Sequence, residues 1–468
     1  MNIPEHIKWI MERLVNNGYE AYIVGGAVRD YFLKVEPHDY DIFTNATGEQ
    51  ILKVFEDCKT KIIGGEERQA KVLTVILTAD DGEDVEISQF RSSGDRTETG
   101  NTLEEHQATC DFTMNALAVD INGELCGDEK ITQQGRMDIG RKILRFVGKE
   151  EDRIKEDPLR VLRALRFTAK YNLKQVYFVL GDYYLNMVKE LPKERIRDEL
   201  LKIFTYSNTI SGNLFHLLEG IMPFFYDTRD IAGGSHHVEA VQDHMIFAYE
   251  EACKITDNPL LRLAAFAHDC GKHKTISQEE VDRDFIGAPI EKDGRVILKG
   301  IVGIHFYEHE KVGAEIIEDW MLEYKFSHKE IDYVSTLVRL HMYSYKDKPS
   351  KKSYLKFFNK LNEAEVPIID YVMLLYSDHQ GNKAKPRIKF GDFVKGNFLL
   401  QHYWELTYTK EPFKVSNLVV GGKDLIASFG MSPGPEIGEL LNKLHNLVMD
   451  GELQNTRSDL LWWLKENV

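Results

Sequence analysis

The chain has 468 residues, a formal net charge of −16, 43% hydrophobic residues and 11% aromatic residues. This length predicts about three domains, and the apolar content is sufficient for packed cores. An overall charge this negative is not typical of a general nucleic-acid binder, so any polyanion must bind where basic residues are concentrated. The 5 cysteines have no paired spacing, which argues against a structural zinc site and is typical of a reducing cytosol.

Membrane and targeting signals are not evident in the sequence. No run of about 18 or more apolar residues occurs, so we expect no membrane span. The first residues, Met1–His6, lack the basic flank and apolar stretch of a signal peptide. Both observations predict a cytoplasmic protein.

The first part of the chain, residues 1–145, has the pattern of a mixed α/β domain. A helix is predicted near Glu5–Asn16, followed by a strand, a tight turn and a helix over residues 21–34. Gly25 and Gly26 lie at this turn, where glycines let backbone N–H groups approach phosphate oxygens at a helix N-terminus. A Gly-Gly pair alone more often marks a simple turn.

Asp39 and Asp41 follow on a predicted strand, with Tyr40 between them. Alternate residues of a strand point to the same face, and two adjacent carboxylates are costly unless a cation neutralises them. Mg²⁺ held by one or two carboxylates and by substrate phosphates is the usual arrangement in phosphoryl-transfer sites. The alternative is a pair of solvated acids at a strand edge.

The next two strands are predicted to form a β-hairpin. The runs Val72–Leu77 and Asp84–Phe90 flank a turn at Asp81-Gly82. Side chains alternate between the two faces along the second run. Glu86 can therefore stand on the same side of the sheet as the two aspartates.

From about Glu150 the pattern becomes helical. Asp157-Pro158 is typical of a helix start, with Asp as the N-cap and Pro at the first helical position. Leucines and arginines then recur side by side at three-residue spacing: Leu159, Leu162 and Leu165, with Arg160, Arg163 and Arg166. These arginines and the basic residues of 193–202 form either a local face for a polyanion or an ordinary solvated surface.

The central region places histidines and aspartates in helical context. They are His244, the adjacent pair His268-Asp269, His305, His309, His341 and Asp378. We expect His305 and His328 to lie on the surface. His309 and His341 are either ligands of a second metal or residues at helix ends. Residues 391–468 predict a helical tail.

Five motifs follow one another along the chain: Gly25–Asp30 with Asp39–Asp41, Asp111–Leu117, Asp138–Arg145, Glu156–Arg160 and Glu194–Leu200. In this order they resemble the catalytic, ribose-selecting, hinge, nucleotide-template and template-supporting motifs of class II tRNA nucleotidyltransferases. This family comprises the CCA-adding enzymes and their bacterial poly(A) polymerase relatives. The resemblance covers nearly the whole chain.

The resemblance implies an α+β fold, with a polymerase-β-like nucleotidyltransferase head built on a mixed sheet and all-helical neck, HD body and tail domains. The implied divisions are a head at 1–145, a neck with the nucleotide-template motif at 146–225, an HD-type metal phosphohydrolase domain at 226–390, and a tRNA-binding tail at 391–468.

In the head, the resemblance implies that Asp39 and Asp41 hold two Mg²⁺ ions. Glu86 matches the third carboxylate of the family. The implied nucleotide-binding residues are Gly25, Gly26, Arg29, Asp111, Asn115, Asp157, Arg160, Arg163 and Arg166. Arg29 would donate to the triphosphate, although an arginine in a helix after a turn is often a surface ion-pair partner.

Asp157 and Arg160 match the residues that select the base. Standing three apart on a helix, they would share one face. The carboxylate would accept from the exocyclic amine of cytosine or adenine, and the arginine would donate to ring acceptors. Without the family resemblance, this pair reads as an N-cap Asp followed by an ordinary ion-pair partner.

The central histidines resemble the signature of HD-type metal phosphohydrolases. The resemblance implies one metal cluster of His244, His268, Asp269 and Asp378, which suits a divalent transition metal of the Ni, Mn, Co or Fe type. Lys272 would neutralise a phosphate oxygen. Phosphatase, 2′-nucleotidase and cyclic-phosphodiesterase activities, which trim or repair RNA ends, all remain open.

Two features depart from the family pattern. Thr109-Cys110 stand where the family usually has Arg-Arg, and the segment 92–110 is shorter than the flexible loop of the family. Arg91, Arg96 or Lys71 are the candidates to replace the missing guanidinium charges. Because this loop is linked to the switch from C to A addition, a CC-adding enzyme is an open alternative.

The function implied is template-independent addition of C, C and A, taken from CTP and ATP, to tRNA 3′ ends. The expected partners are tRNA, CTP and ATP, without DNA or a membrane. One alternative is an RNA-end phosphohydrolase or 2′,3′-cyclic phosphodiesterase with a degenerate head. Another is a CC-adding or poly(A)-type polymerase.

Overall fold

In a computed structural model, the chain divides into two compact units, Met1–Tyr206 and Ser207–Val468. The structure describes the chain except residues 66–69, 79–81, 83, 93–97, 176–179, 235–236, 279–289, 293–294, 298–303, 344–350, 409–414, 451 and 468. The four-domain division expected from the sequence stays a prediction.

The first unit is a sheet surrounded and followed by helices. Its helices are α1 (Glu5–Asn16), α2 (Gly26–Phe32), α3 (Gly48–Val54), α4 (Leu103–Thr109), α5 (Glu129–Arg141), α6 (Glu150–Glu156), α7 (Leu159–Tyr171), α8 (Asp182–Lys189) and α9 (Lys193–Tyr206). Its strands are β1 (Tyr22–Val24), β2 (Ile42–Thr44), β3 (Thr60–Gly65), β4 (Ala70–Thr78), β5 (Asp84–Gln89), β6 (Ala118–Val119), β7 (Leu125–Cys126), β8 (Ile143–Leu144) and β9 (Lys174–Gln175).

Seven of these strands form one mixed sheet in the order β3-β4-β5-β2-β1-β6-β7. The β2–β5 pair is parallel and the other neighbours are antiparallel. Val75, Leu77, Val85 and Ile87 are buried at alternate positions of β4 and β5, as expected of strands with one face on the core. The predicted mixed α+β architecture is confirmed.

Several predicted elements of the head appear as expected, with one shift. Helix α1 has the predicted bounds, and β4 and β5 pair as the predicted hairpin. Asp81 of its turn lies outside the described residues. Strand β2 begins only at Ile42, so Asp39 and Asp41 precede the strand and do not lie on it.

The second unit is mostly helical. Its helices are α10 (Gly212–Ile221), α11 (Pro223–Asp227), α12 (Val241–Ala252), α13 (Pro259–Ala267), α14 (Lys272–Thr275), α15 (His309–Glu323), α16 (His328–Leu340), α17 (Lys351–Glu363), α18 (Ile368–Gly381), α19 (Val394–Tyr408), α20 (Gly422–Phe429), α21 (Pro435–Asp450) and α22 (Arg457–Asn467). Short strands β10 (Ile276–Gln278), β11 (Ile290–Lys292), β12 (Arg295–Ile297) and β13 (Ile304–Phe306) interrupt them.

Helix α13 lies at the centre of the second unit. Its residues Leu261–Ala267 are all buried, and it packs against α12, α16 and α18. Small alanines at 264, 265 and 267 let these helices approach closely. A separate core in the tail joins α20, α21 and α22 through buried leucines such as Leu425, Leu444 and Leu460.

None of the helices that the structure describes is both long and apolar enough to cross a membrane.

Candidate active sites

Three carboxylates come together in the head, with Asp39 and Asp41 just before β2 and Glu86 on the neighbouring strand β5. Asp41 directly precedes β2, whose parallel register pairs Ile42 with Ile87, so Glu86 stands beside Asp41. Burial, followed by the charges of Glu86 and Asp39, raises the pKa of Asp41 to about 6. A carboxylate whose ionised form is disfavoured by its neighbours in this way is suited to a divalent cation, which would neutralise the charge.

Arg29 is buried in the helix that follows the glycine turn. Gly25 has a φ of +94°, a conformation that only glycine adopts easily. The Arg29 guanidinium donates to Asn115 Oδ1 at 2.8 Å and to Asp30 Oδ1 at 2.8 Å. Because its residue exposure is only 7%, Arg29 is not a surface ion-pair partner.

Asp111 fixes a second arginine. Its Oδ1 accepts from Asn115 Nδ2 at 2.9 Å, and its Oδ2 lies 2.6 Å from Arg163 Nη2. Burial disfavours the ionised carboxylate, but the charge of Arg163 and the hydrogen bond from Asn115 outweigh it and lower the pKa of Asp111. Asn115 accepts from Arg29 at the same time, so one amide and one carboxylate hold both guanidinium groups in place.

Asp157 lies outside the helix that carries Arg160. Helix α7 begins at Leu159, and Asp157 Oδ1 accepts from the Leu159 N–H at 3.1 Å. The expectation that Asp157 and Arg160 share a helix face is therefore wrong. The carboxylate of Asp157 also accepts from Arg195 Nη2 at 3.1 and 3.2 Å.

The guanidinium of Arg160 is almost fully buried and already bonded. It donates to Glu156 Oε2 at 2.7 Å, to the Arg153 carbonyl at 2.9 Å and to the Thr109 carbonyl at 3.0 Å. A guanidinium has five N–H donors, so these three bonds leave part of the group for another acceptor.

A cavity of about 320 Å³ joins these residues. The predicted residues that line it are Gly25, Gly26, Arg29, Asp41, Asp111, Asn115, Asp157, Arg160 and Arg163. Asp39, Glu86 and Arg166, though described by the structure, are not among the lining residues. Arg166 Nε lies 2.9 Å from Glu199 Oε2, which makes it a structural partner of α9.

In the second unit, His244, His268 and Asp378 converge. His244 Nε2 lies 3.0 Å from Asp378 Oδ1 and 3.2 Å from His268 Nε2. One nitrogen or oxygen of each residue lies within 4.8 Å of the others, and all three residues are buried. Two imidazole nitrogens and a carboxylate oxygen at this spacing suit a divalent transition metal.

A second group consists of Asp269, His309 and His341. His309 Nε2 lies 3.2 Å from His341 Nε2 and 3.3 Å from Asp269 Oδ1. The other oxygen, Asp269 Oδ2, lies 3.3 Å from His268 Nε2. Asp269 therefore faces both groups, and the open question of His309 and His341 has this outcome: His309 is the first residue of α15 and His341 caps the end of α16, as the helix-end alternative expected, and their nitrogens also lie where they could hold a metal.

Backbone contacts aim these imidazoles. The Nδ1 atoms of His268, His309 and His341 lie 2.6–2.8 Å from the carbonyls of residues 265, 306 and 338, which turns each Nε2 toward the cluster. Gly271 permits the two groups to approach, because a Cβ there would lie 2.2 Å from the His309 carbonyl.

Sequence reasoning did not find Glu239 and His237. Glu239 Oε1 lies 3.1 Å from His244 Nδ1 and 3.0 Å from His237 Nδ1. Burial opposes ionisation of this carboxylate, but the hydrogen bonds with His237 and His244 outweigh it and lower its pKa. The spacing His-x-Glu before His244 was the only available signal.

A cavity of about 670 Å³ opens onto both groups. Its lining includes His268, Asp269, His309, His341 and Asp378, together with Lys272 and His305. Lys272 Nζ donates to Asp269 Oδ2 at 2.6 Å. His328 is exposed as predicted, whereas His305 is half-buried in the cavity wall and does not lie freely on the surface.

Comparison with known proteins finds three family models that match parts of the chain. The chain matches the poly A polymerase head domain over residues 21–145, the HD domain over 236–376 and tRNA nucleotidyltransferase domain 2 over 394–464. It is 27% identical to the CCA-adding enzyme of Staphylococcus saprophyticus, covering 99% of this chain and 98% of that protein.

Over nearly its whole length the chain is therefore similar to CCA-adding enzymes.

Other relatives match shorter parts of the chain. Poly(A) polymerase I of Salmonella typhi is 29% identical over 49% of this chain and 53% of its own length. Among solved structures, the Bacillus stearothermophilus CCA-adding enzyme in complex with CTP matches with a TM-score of 0.58 and 21% identity, covering 100% of this chain and 98% of that one. That similarity shows a shared fold.

The departures from the tRNA nucleotidyltransferase pattern lie in the wall of the head cavity. Thr109 and Cys110 line it, as do Arg91 and His106. Of the candidate replacement cations, Arg91 is the one the structure places here, since Arg96 and the side chain of Lys71 lie outside the described residues. His106 packs on Phe43 at 4.1 Å between ring centroids. Burial, then the charge of Arg91, lowers its pKa to about 3.

Proposed function

We propose that this protein adds C, C and A, taken from CTP and ATP, to the 3′ ends of tRNA without a nucleic-acid template. The proposal rests on the cluster of three carboxylates formed by Asp39, Asp41 and Glu86. Asp41 of this cluster lines the cavity that Asp157 and Arg160 also line. Full-length relatives named CCA-adding enzymes support it.

Some residues of the cavity are proposed to bind the triphosphate and the metal, and others to select the base. Arg29 and Arg163 are held by Asn115 and Asp111, so they face a triphosphate as fixed donors. The raised pKa of Asp41 fits a carboxylate that is meant to ligate Mg²⁺. Two Mg²⁺ ions held there would orient the triphosphate and activate the RNA 3′-hydroxyl.

Base choice is proposed to depend on Asp157 and Arg160. The Asp157 carboxylate would accept a hydrogen bond from the exocyclic amine of cytosine or adenine. It would keep its hydrogen bond from Arg195 at the same time. The remaining N–H groups of Arg160 would face ring acceptors. Guanine and uracil place a carbonyl where the amine should be, and two acceptors would then oppose each other at a cost of about 1–3 kcal/mol.

The test is to incubate the protein with tRNA that lacks its last three nucleotides, Mg²⁺, and CTP and ATP singly and together. Three additions that stop are expected. Two additions would identify a CC-adding enzyme, and a long run of A would identify a poly(A)-type polymerase. If the protein incorporates no nucleotide but hydrolyses a phosphate at an RNA end, only the hydrolase function remains.

A second function is proposed for the HD domain, because two ligand groups share Asp269 there. We infer a phosphohydrolase that acts on RNA ends with one or two divalent transition metals, of the Ni, Mn, Co or Fe type. A metal held there would supply an activated water for attack on phosphorus. Lys272 would stabilise the charge on the phosphate.

Metal content and turnover test this function together. Protein loaded with Ni²⁺ or Mn²⁺ should carry up to two ions per chain, and the variant His341→Ala should lose part of them. Hydrolysis of a 2′,3′-cyclic-phosphate-ended tRNA without nucleotides is expected. Metal-loaded protein that cleaves neither cyclic nor terminal phosphates would contradict the proposal.

The tail is proposed to contact tRNA. This rests on the match of residues 394–464 to tRNA nucleotidyltransferase domain 2. Removing residues 413–468 should weaken tRNA binding in a filter assay, while unaltered affinity would exclude the tail from the RNA site.

A further inference from the structure

The wall of the HD cavity carries an aromatic pair that neither the metal groups nor the head uses. His305 belongs to β13, and Tyr307 follows that strand directly. Their rings are stacked, with centroids 5.5 Å apart and planes 20° from parallel. Both residues line the same cavity as His268, Asp269 and His309.

Among the large apolar residues of this lining that the structure describes, Tyr307 is the exposed one, at 66%. A single exposed ring needs no explanation by itself. Here, however, the Tyr307 ring stacks on the half-buried imidazole of His305. It also stands at a cavity whose interior holds the candidate metal ligands. Its free surface is therefore positioned to cover a flat group that enters with its phosphate toward the metals.

The chemistry of the rest of the cavity restricts what this group can be. Lys272 and Lys385 also line the cavity. The part of the bound molecule that lies near the metal-ligating residues is therefore anionic. Ile304, Phe306 and Met342 add apolar surface. At about 670 Å³ the cavity has the size of sites that enclose small ligands, which is more than a phosphate alone requires.

We propose that Tyr307, backed by His305, forms a stacking platform for the nucleobase of the nucleotide whose phosphate ester the HD domain hydrolyses. The proposal rests on the phosphohydrolase function and names its substrate class: nucleotides that carry a 2′,3′-cyclic or terminal phosphate, either free or at the end of an RNA. Stacking accepts any base, because every base has a π face.

The reaction itself is an ordinary hydrolysis. For a 2′,3′-cyclic phosphate, water adds its oxygen to phosphorus, one of the two ribose P–O bonds breaks, and a water proton ends on the released ribose oxygen. The platform takes no part in these steps. Its effect is to hold the nucleoside, so it should act on KM and discriminate substrates that have a base from those that do not.

Matched substrates test this. The metal-loaded full-length protein is assayed on adenosine 2′,3′-cyclic phosphate against glycerol 1,2-cyclic phosphate, and on adenosine 3′-phosphate against glycerol 2-phosphate. Tyr307→Ala should raise KM for the adenosine compounds roughly fivefold or more and leave the glycerol compounds unchanged. Tyr307→Phe should behave as wild type, because it keeps the ring.

A second exposed tyrosine of the same unit serves as the control. Tyr226 is 52% exposed and does not line the cavity, so Tyr226→Ala should change neither class of substrate. The same comparison with a tRNA that ends in a cyclic phosphate shows whether the base is presented free or on RNA. The Tyr307→Ala deficit should appear with whichever of the two the protein prefers.

Failure of the platform is distinguishable from failure of the phosphohydrolase function. If Tyr307→Ala affects adenosine and glycerol compounds equally, or neither, the platform is overturned while hydrolysis stands. If wild-type protein hydrolyses none of the four compounds, the hydrolase function falls. Equilibrium binding of adenosine 3′-phosphate to the Ni²⁺-loaded protein then decides the platform, because equal affinity of wild type and Tyr307→Ala overturns it as well.

Discussion

The head cavity and the HD cavity hold their carboxylates in opposite ways. In the head, Asp111 and Asp157 are bonded to arginines, which remain charged at any physiological pH. In the HD domain, Asp269 and Asp378 face imidazoles, which can ligate a metal when neutral. Lys272, which pairs with Asp269, and Lys385 are the cations there.

This difference indicates what each cavity is built to receive. Permanent guanidinium charges, oriented by an amide and a carboxylate, suit a large anion that arrives with its own cation, such as a triphosphate with Mg²⁺. Converging imidazoles and carboxylates suit a metal that stays in place and a smaller phosphate. The comparison predicts that the two cavities can be disabled separately.

The largest expected effect is a reciprocal loss of the two activities. Asp41→Asn should lower CTP incorporation by at least about a thousandfold, because a metal ligand that stabilises the transition state is removed. Asp269→Asn should abolish hydrolysis of cyclic-phosphate-ended tRNA by the same reasoning. Product sizing on one gel measures both.

Each variant is the control for the other. Asp41→Asn should keep hydrolysis at the wild-type rate, and Asp269→Asn should keep incorporation. Loss of both activities in either variant would show that the two cavities are not independent and would break the comparison.

The next effect concerns the stability of the head. Arg163→Met leaves the buried Asp111 without its cation, which should lower the free energy of unfolding by about 3–5 kcal/mol. Lys155→Met, which removes a half-exposed partner of the exposed Glu151, should cost less than about 1 kcal/mol. Urea unfolding measures both.

A double variant separates the lost ion pair from lost packing. Asp111→Asn combined with Arg163→Met removes the orphaned charge and should recover part of the stability. If the double variant is as unstable as Arg163→Met alone, the arginine acts through packing on Phe167 and not through its charge.

Most of the head residues named from the sequence and its family resemblance line one cavity, because their motifs are local in the chain and adjacent in the fold. Gly25, Arg29, Asp41 and Asp111 lie within short runs, and the parallel pairing of β2 with β5 then adds Glu86. The bonding of Arg160 to Glu156 and of Asp157 to Arg195 was not predictable, since it depends on where α6 ends and how α9 packs.

The HD cluster shows the opposite case. His244, His268, Asp269 and Asp378 were predicted as one group, but the chain alone could not show that Asp269 faces two. That arrangement depends on α15 starting against Gly271, which brings His309 to the second oxygen. Glu239 was missed because a carboxylate behind a ligand leaves no motif of its own.

A smaller effect is expected from this carboxylate. Glu239→Gln should weaken metal binding by about 10–100-fold, because the amide cannot hold the His244 ring as the carboxylate does. Glu250→Gln on α12, the helix that carries His244, should leave the affinity unchanged, because the Glu250 carboxylate accepts from Thr209 instead. Titration of each metal-free protein with Ni²⁺ measures both affinities. Equal affinity of Glu239→Gln and wild type would show that Glu239 does not support metal binding.

The smallest effect tests the charge of the head acids directly. The pKa of Asp41 is about 6 in the fold, above its ordinary value of 3.8, so folding favours the protonated form. The resulting penalty on the ionised form is absent below about pH 4 and complete above about pH 6. Without divalent cations, Asp41→Asn should therefore stabilise the protein at pH 7.5 by about 1–3 kcal/mol, and not at pH 4.

Magnesium should make the wild type more stable than Asp41→Asn at pH 7.5, because it binds the ionised carboxylates of the wild type and stabilises the fold by mass action. Thermal unfolding with and without Mg²⁺ at both pH values measures the reversal. Glu36→Gln, at an exposed carboxylate, should stay within about 0.5 kcal/mol of wild type throughout. A variant Asp41→Asn that is less stable than wild type at pH 7.5 without Mg²⁺ would mean that a cation of the protein already neutralises Asp41, as arginines do for Asp111 and Asp157, and the head cavity would then have no carboxylate in need of the metal that its ligand brings.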